Sequence, residues 1–188
     1  MNPNNKPLNQ KEMGDAIELV ERFLPLSKWD FKQSAQFFEN AIYPIVIYNS
    51  EKCRIKLLYE APSGNQNHRI HFYYGRLDAP NNAGGLSWRY RGSYHLYWHS
   101  VRFPLQFLDG LSPREALNEK EPRLIRGFEQ SEIAKRIVYK PERTLVKHAV
   151  IWETYGQQLF DIFDIHNKNL WERYSAFVRE FWETLSHP

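Results

Sequence analysis

A chain of 188 residues, 42% hydrophobic, with 6 Trp, 11 Tyr and 12 Phe, has enough apolar surface to fill one packed domain, which excludes global disorder. The net charge of +3 is too small for a strongly basic nucleic-acid binder. Cys53 is the only cysteine, so an intramolecular disulfide and any cysteine-based zinc motif are excluded.

No apolar stretch approaches the ~20 residues that span a bilayer, so no membrane association is expected. Residues 1–8 are polar and read as a flexible arm. The start of the chain lacks the apolar core of a secretory signal. With the single cysteine, this points to the cytoplasm.

Asn9 with Glu12 three residues on predicts a helix start, and Ala16, Ile17, Val20, Phe23 and Leu24 continue at helical spacing up to Pro25. Asp30 and Gln33 read as a second cap, leading Phe31, Ala35, Phe38 and Ile42 along another helix. The period then changes. Ile45 to Tyr48, the alternating run Cys53, Ile55, Leu57 and Tyr59, and the alternating run Ile70, Phe72 and Tyr74 predict strands joined by short turns. Cys53 sits in an alternating apolar run and reads as a buried, inert thiol.

The segment 87–103 is dense in rings and in Arg and His, and it alternates. Trp88, Tyr90, Tyr94, Leu96 and Trp98 share one parity, while Arg89, Arg91, His95 and His99 share the other. As a strand it would turn an aromatic face to the core and a basic face away from it. Residues 101–107 read as a further strand with Pro104 at an edge. Ser112, Pro113 and Glu115 form a helix-start pattern, and 128–138 reads as another short helix. Residues 143–153 read as a strand, and 159–165 fit strand or helix. Leu170, Trp171, Tyr174, Phe177, Val178, Phe181, Trp182 and Leu185 draw a long amphipathic helix at the end.

The fold this implies is α+β: a single domain over 1–188, with an antiparallel meander packed by N-terminal helices and a long C-terminal amphipathic helix. One sheet face then meets water, a partner or a polar cover.

Charge is unevenly distributed. Residues 52–102 carry eight basic and two acidic groups, and residues 123–147 carry seven and three. These two segments hold all the positive excess. Strand parity puts Arg54 and Lys56, Arg69 and His71, and Arg89, Arg91 and His95 on one face of three strands. So much like charge on one face is destabilising unless something answers it. The acidic segments of the same chain could do so, as could an acidic protein surface or a nucleic acid.

No catalytic motif stands out. There is no nucleophile elbow and no phosphate-binding glycine loop, and the lone Cys has no evident base. His95 and His99 would lie about 13 Å apart on a strand, too far for one metal. His148, Asp161, Asp164 and His166, with Glu153, could meet across elements, but no spacing demands it. A turn or cap role for Asp164 or His166 is the simpler reading. No metal or cofactor is expected.

The leading expectation is therefore a non-catalytic binding or accessory protein whose basic face engages nucleic acid or another polyanion through Arg54, Lys56, Arg69, His71, Arg89, Arg91 and His95. The alternatives are an interaction subunit of a larger assembly, with oligomerisation possible, or a small-molecule-binding protein or enzyme with a pocket walled by Trp88, Tyr90, Tyr94 and Trp98.

Overall fold

The computed structural model describes residues 10–39, 43–60, 69–81, 98–119 and 121–186. Helix α1 (Gln10–Phe23) buries Met13, Ala16 and Val20 at helical spacing, with Leu24 just beyond it. A 3-10 turn (Leu26–Trp29) follows and is closed by Asp30, whose φ of 58° is left-handed. A helix N-cap needs extended backbone, so Asp30 cannot start the helix expected over 30–42. The chain enters strand β1 (Lys32–Glu39) instead, which corrects that expectation.

The sheet is the expected antiparallel meander. β1 pairs with β2 (Tyr43–Asn49), then β3 (Cys53–Glu60), β4 (Arg69–Arg76) and the short β5 (Trp98–Ser100), in chain order. The β2–β3 turn is held by the Ser50 hydroxyl, which accepts the Lys52 and Cys53 N–H groups at 3.2 and 3.0 Å.

Beyond β5 the strand expected over 101–107 is a helix, α2 (Arg102–Leu108). Pro104 falls in its first turn, where a missing N–H costs nothing, and not at a sheet edge. Gly110 ends this helix at φ 73°, and the Leu111 N–H donates to the Gln106 carbonyl at 3.2 Å. Helix α3 (Pro113–Asn118) opens with the expected capping box: Ser112 and Glu115 satisfy each other's backbone N–H.

Short helices α4 (Arg123–Gln130) and α5 (Glu132–Arg136) lead to α6 (Lys140–Phe163). The strand expected over 143–153 is therefore part of a helix. Its buried residues Leu145, His148, Ile151, Trp152, Gly156, Leu159, Ile162 and Phe163 recur at intervals of three and four. Helix α7 (Lys168–Ser186) is the expected C-terminal amphipathic element.

The main core lies between one sheet face and helices α1, α6 and α7. Its centre is Trp152, whose ring centroid lies 5.1 Å from Phe31 and Phe160 and 5.7 Å from Tyr74. A Cβ at Gly156 would stand 3.1 Å from the Trp152 ring, so glycine lets the indole lie against its own helix. No helix of the described residues is long and apolar enough to cross a membrane.

Tyr174 is fully buried, and its hydroxyl has no hydrogen-bond partner among the described residues. Burial raises its pKa well above the ordinary tyrosine value. An unpaired buried hydroxyl costs about 1–3 kcal/mol. Tyr174→Phe is therefore expected to raise the unfolding free energy by about 1 kcal/mol in urea denaturation, and a loss of stability would contradict this.

Candidate anion-binding cleft

The second sheet face carries a smaller cluster of Ile45, Ile47, Leu58, Tyr73, Ala79 and Trp98. Strand register sets Lys56 beside Ile47 and Tyr73, and Arg54 beside Gly75. Arg54 is 7% exposed and Lys56 is 3% exposed. The Arg54 guanidinium donates Nε–H to Asn49 Oδ1 at 2.9 Å, and donates also to the Ala79 carbonyl and to Asn81 Oδ1. Lys56 Nζ lies 4.9 Å from the Trp98 ring centroid and 5.6 Å from that of Tyr73, and Arg54 lies 5.6 Å from Trp98. Burial draws the Arg54 pKa below its ordinary value. These two cations are structural fasteners, covered by residues 79–81 and Trp98. The two cations expected to meet a polyanion are thus turned to partners within the chain.

The end of the 87–103 segment also departs from its expected parity. Tyr73 pairs with Ser100 and Gly75 with Trp98, so Trp98 stands on the face of Arg54 and Lys56. His99 points into the main core, 5.2 Å from Tyr174 and 5.8 Å from Trp171. Trp98 is buried, and its indole N–H donates to the Pro80 carbonyl at 3.0 Å. Trp88, Arg89, Tyr90, Arg91, Tyr94 and His95 lie outside the described residues. Between α1 and the sheet, an apolar gap of about 10 Å³ lined by Ala16, Val20, Tyr48 and Leu57 has room for little more than one water.

The larger concavity lies between β4 and the first turns of α6. It measures about 430 Å³ and is lined by Arg69, Ile70, His71, Glu129, Lys140, Arg143, Thr144 and Lys147. Lys140, Arg143, Thr144 and Lys147 form one helical stripe at intervals of three and four. On β4, Arg69 and His71 flank Ile70, and Ile70 joins the main core. Among the described residues β5 reaches only Tyr73 to Gly75, so the cleft wraps the β4 flank beyond it.

Among the described residues of the lining, Glu129 is the one carboxylate. It is paired with Arg143 and, at 3.2 Å, with Lys147. Burial alone would raise its carboxyl, but Lys147 and Arg143 together outweigh that and hold it below the usual carboxylate range. Among the described lining residues, four permanent cations thus accompany Glu129. Register also places Glu60 opposite Arg69 on the neighbouring strand. Arg69 and Lys140 are exposed. The arrangement can hold an anionic group.

The residues weighed as a metal site do not converge. His148 is buried in mid-helix. Its Nδ1 is engaged by the Tyr74 hydroxyl at 2.6 Å, and its ring lies 3.8 Å from that of Phe72. Asp161 accepts from Gln157 at 2.9 Å, and Asp164 accepts the His166 N–H at 2.8 Å, the turn role already expected. Lys52 lies 3.9 Å from Asp161 and 3.6 Å from Asp164. No group of three metal-ligating side chains assembles among the described residues.

Of the expected basic residues, the cleft includes Arg69 and His71. It adds Lys140, Arg143 and Lys147, which the sequence marked only as a basic stretch. Helical spacing was the signal available to join them. No protein-family model matches the chain, and no curated protein or solved structure matches it either.

Two outcomes follow from this geometry. Arg54→Lys loses the fork that reaches three acceptors, and is expected to cost about 2 kcal/mol in chemical denaturation. An unchanged midpoint would show that the fork is not fastening residues 79–81. His148 is held well below the ordinary value of 6.5, first by burial and then by neighbouring Lys147. The unfolded state therefore binds a proton first as pH falls. This contribution to stability is complete above about pH 6.5 and is lost below it by about 1.4 kcal/mol per pH unit, down to the folded-state pKa. His148→Gln should flatten that part of the stability profile relative to the parent, and parallel profiles would refute the assignment.

Proposed function

We propose that this chain is a non-catalytic polyanion-binding protein, and that the cleft between β4 and α6 holds phosphate groups of its ligand. One observation carries the reading. The two segments that hold all the positive excess, 52–102 and 123–147, meet in this cleft, where Arg69 and His71 from one face Lys140, Arg143 and Lys147 from the other. Like charges converging from distant parts of a chain oppose folding unless a counter-charge repays them, and Glu129 supplies one to Arg143 and Lys147. The cleft thus replaces the sheet face as the candidate surface, because the sheet-face cations Arg54 and Lys56 are engaged internally.

Fluorescence anisotropy with a labelled oligonucleotide, titrated at several salt concentrations, tests the proposal. Binding through these cations predicts a slope of log affinity against log salt of about −2 to −3. Arg69→Gln with Lys140→Gln removes two exposed charges and spares the Glu129 pairs, so it should make the slope shallower by about 1 to 2. Absence of binding at low salt, or an unchanged slope in the double variant, would overturn the proposal.

A further inference from the structure

Within the cleft, Glu129 is clamped between two cations. Its Oε2 accepts from Arg143, and its Oε1 accepts from Lys147 at 3.2 Å. Both contacts of Arg143 with Glu129 run through Nη2, which also donates to the Glu129 main-chain carbonyl at 3.5 Å. Arg143 Nε is buried and has no hydrogen-bond partner among the described residues. Nε–H and Nη2–H form one edge of the planar guanidinium, spaced for two oxygens of a single group. A carboxylate has only two oxygens. With one on Nη2 and the other on Lys147, none is left for Nε. That edge and Lys147 together present three donors, and Glu129 fills two.

We infer that Glu129 stands in for the ligand, and that the group whose place it holds is a terminal phosphate with three free oxygens, which displaces the carboxylate from Arg143 and Lys147. The inference rests on the polyanion reading and deepens it. Three oxygens match Arg143 Nε, Arg143 Nη2 and Lys147 Nζ one to one, and the buried Nε gains the partner it lacks. A terminal phosphate also carries a charge of about −1.5 to −2 at pH 7, more than a carboxylate does. Arg69 and Lys140, exposed in the same lining, add attraction for that larger charge. A phosphodiester has two free oxygens and a single charge, so it gains nothing over Glu129. The Glu129 side chain is 30% exposed, which lets it turn out to water when displaced.

The test separates oxygen count from charge. On the full chain, a labelled 5′-phosphorylated oligothymidylate is compared with a 5′-hydroxyl oligothymidylate lengthened to carry the same charge. The phosphorylated strand should bind about tenfold more tightly, the gain expected of one further hydrogen bond to a charged group. Vesicles containing phosphatidic acid, a phosphate monoester, are compared likewise with vesicles of equal surface charge containing phosphatidylglycerol, a diester. A monoester preference in either pair supports the inference, and the pair that shows it identifies the carrier. No preference in both pairs overturns it, whether or not any variant folds. Glu129→Gln and Glu129→Ala remove the competing charge and should each tighten monoester binding about tenfold, with circular dichroism as the check on folding. Unchanged or weaker monoester binding in the folded variants would overturn the displacement. If Arg69→Gln with Lys140→Gln leaves the binding of both strands intact, the cleft reading itself fails. If that variant weakens both strands but neither pair prefers the monoester, only the terminal-phosphate assignment fails.

Discussion

The position of the candidate cleft depends on one contact, that of α6 with β4. His148 lies flat on Phe72, 3.8 Å between ring centroids, and takes a 2.6 Å hydrogen bond with the Tyr74 hydroxyl. One turn further along, Trp152 meets the ring of Tyr74. Two successive outward steps on the strand are thus matched by two successive turns of the helix, which fixes both the rotation of α6 and its place along the sheet. A helix held in that rotation presents Lys140, Arg143 and Lys147 beside Arg69 and His71. Burial favours the neutral imidazole at this position.

The second sheet face solves a different problem. Helices cover the first face, and a five-stranded sheet in water needs some answer on the other. Here a small apolar cluster incorporates two cations. Lys56 sits against the rings of Trp98 and Tyr73, and Arg54 spends its donors on Asn49, Ala79 and Asn81. A ring face offers an ammonium group electrostatic attraction while excluding water. The arginine fork meanwhile ties a connecting segment to the middle strand. Charge that looked like surface on strand parity is part of the interior.

Much of the architecture was legible because its signals were unopposed. The stripes of α1 and α7, the alternation of β3 and β4, and the Ser112–Glu115 box each pointed one way. The misread elements carried two compatible patterns. Phe31, Ala35 and Phe38 fit a helical stripe, and a left-handed Asp30 together with pairing to β2 decides for strand. Residues 143–153 are rich in apolar and β-branched side chains, yet Leu145, His148 and Trp152 are spaced for a helix, and a buried histidine disguised that stripe. The site suffered from the same error. On a strand over 143–153 Arg143 and Lys147 share a face but Lys140 lies outside it, so the basic stretch 123–147 can be counted but not placed beside Arg69 and His71. Burial of Arg54 and Lys56 was not legible at all, because it depends on Trp98 crossing to their side of the sheet.

Cys53 begins the central strand β3 and is fully buried, and burial pushes its thiol well above the ordinary value. A thiol reacts as the thiolate, so this one is inert in the native state for two reasons, inaccessibility and protonation. It is also the only cysteine, with no second thiol to confuse a label. The chain thereby carries a built-in clock for the opening of its middle strand: the rate at which an alkylating reagent consumes the thiol counts excursions in which the sheet parts from its helices, without any engineered probe.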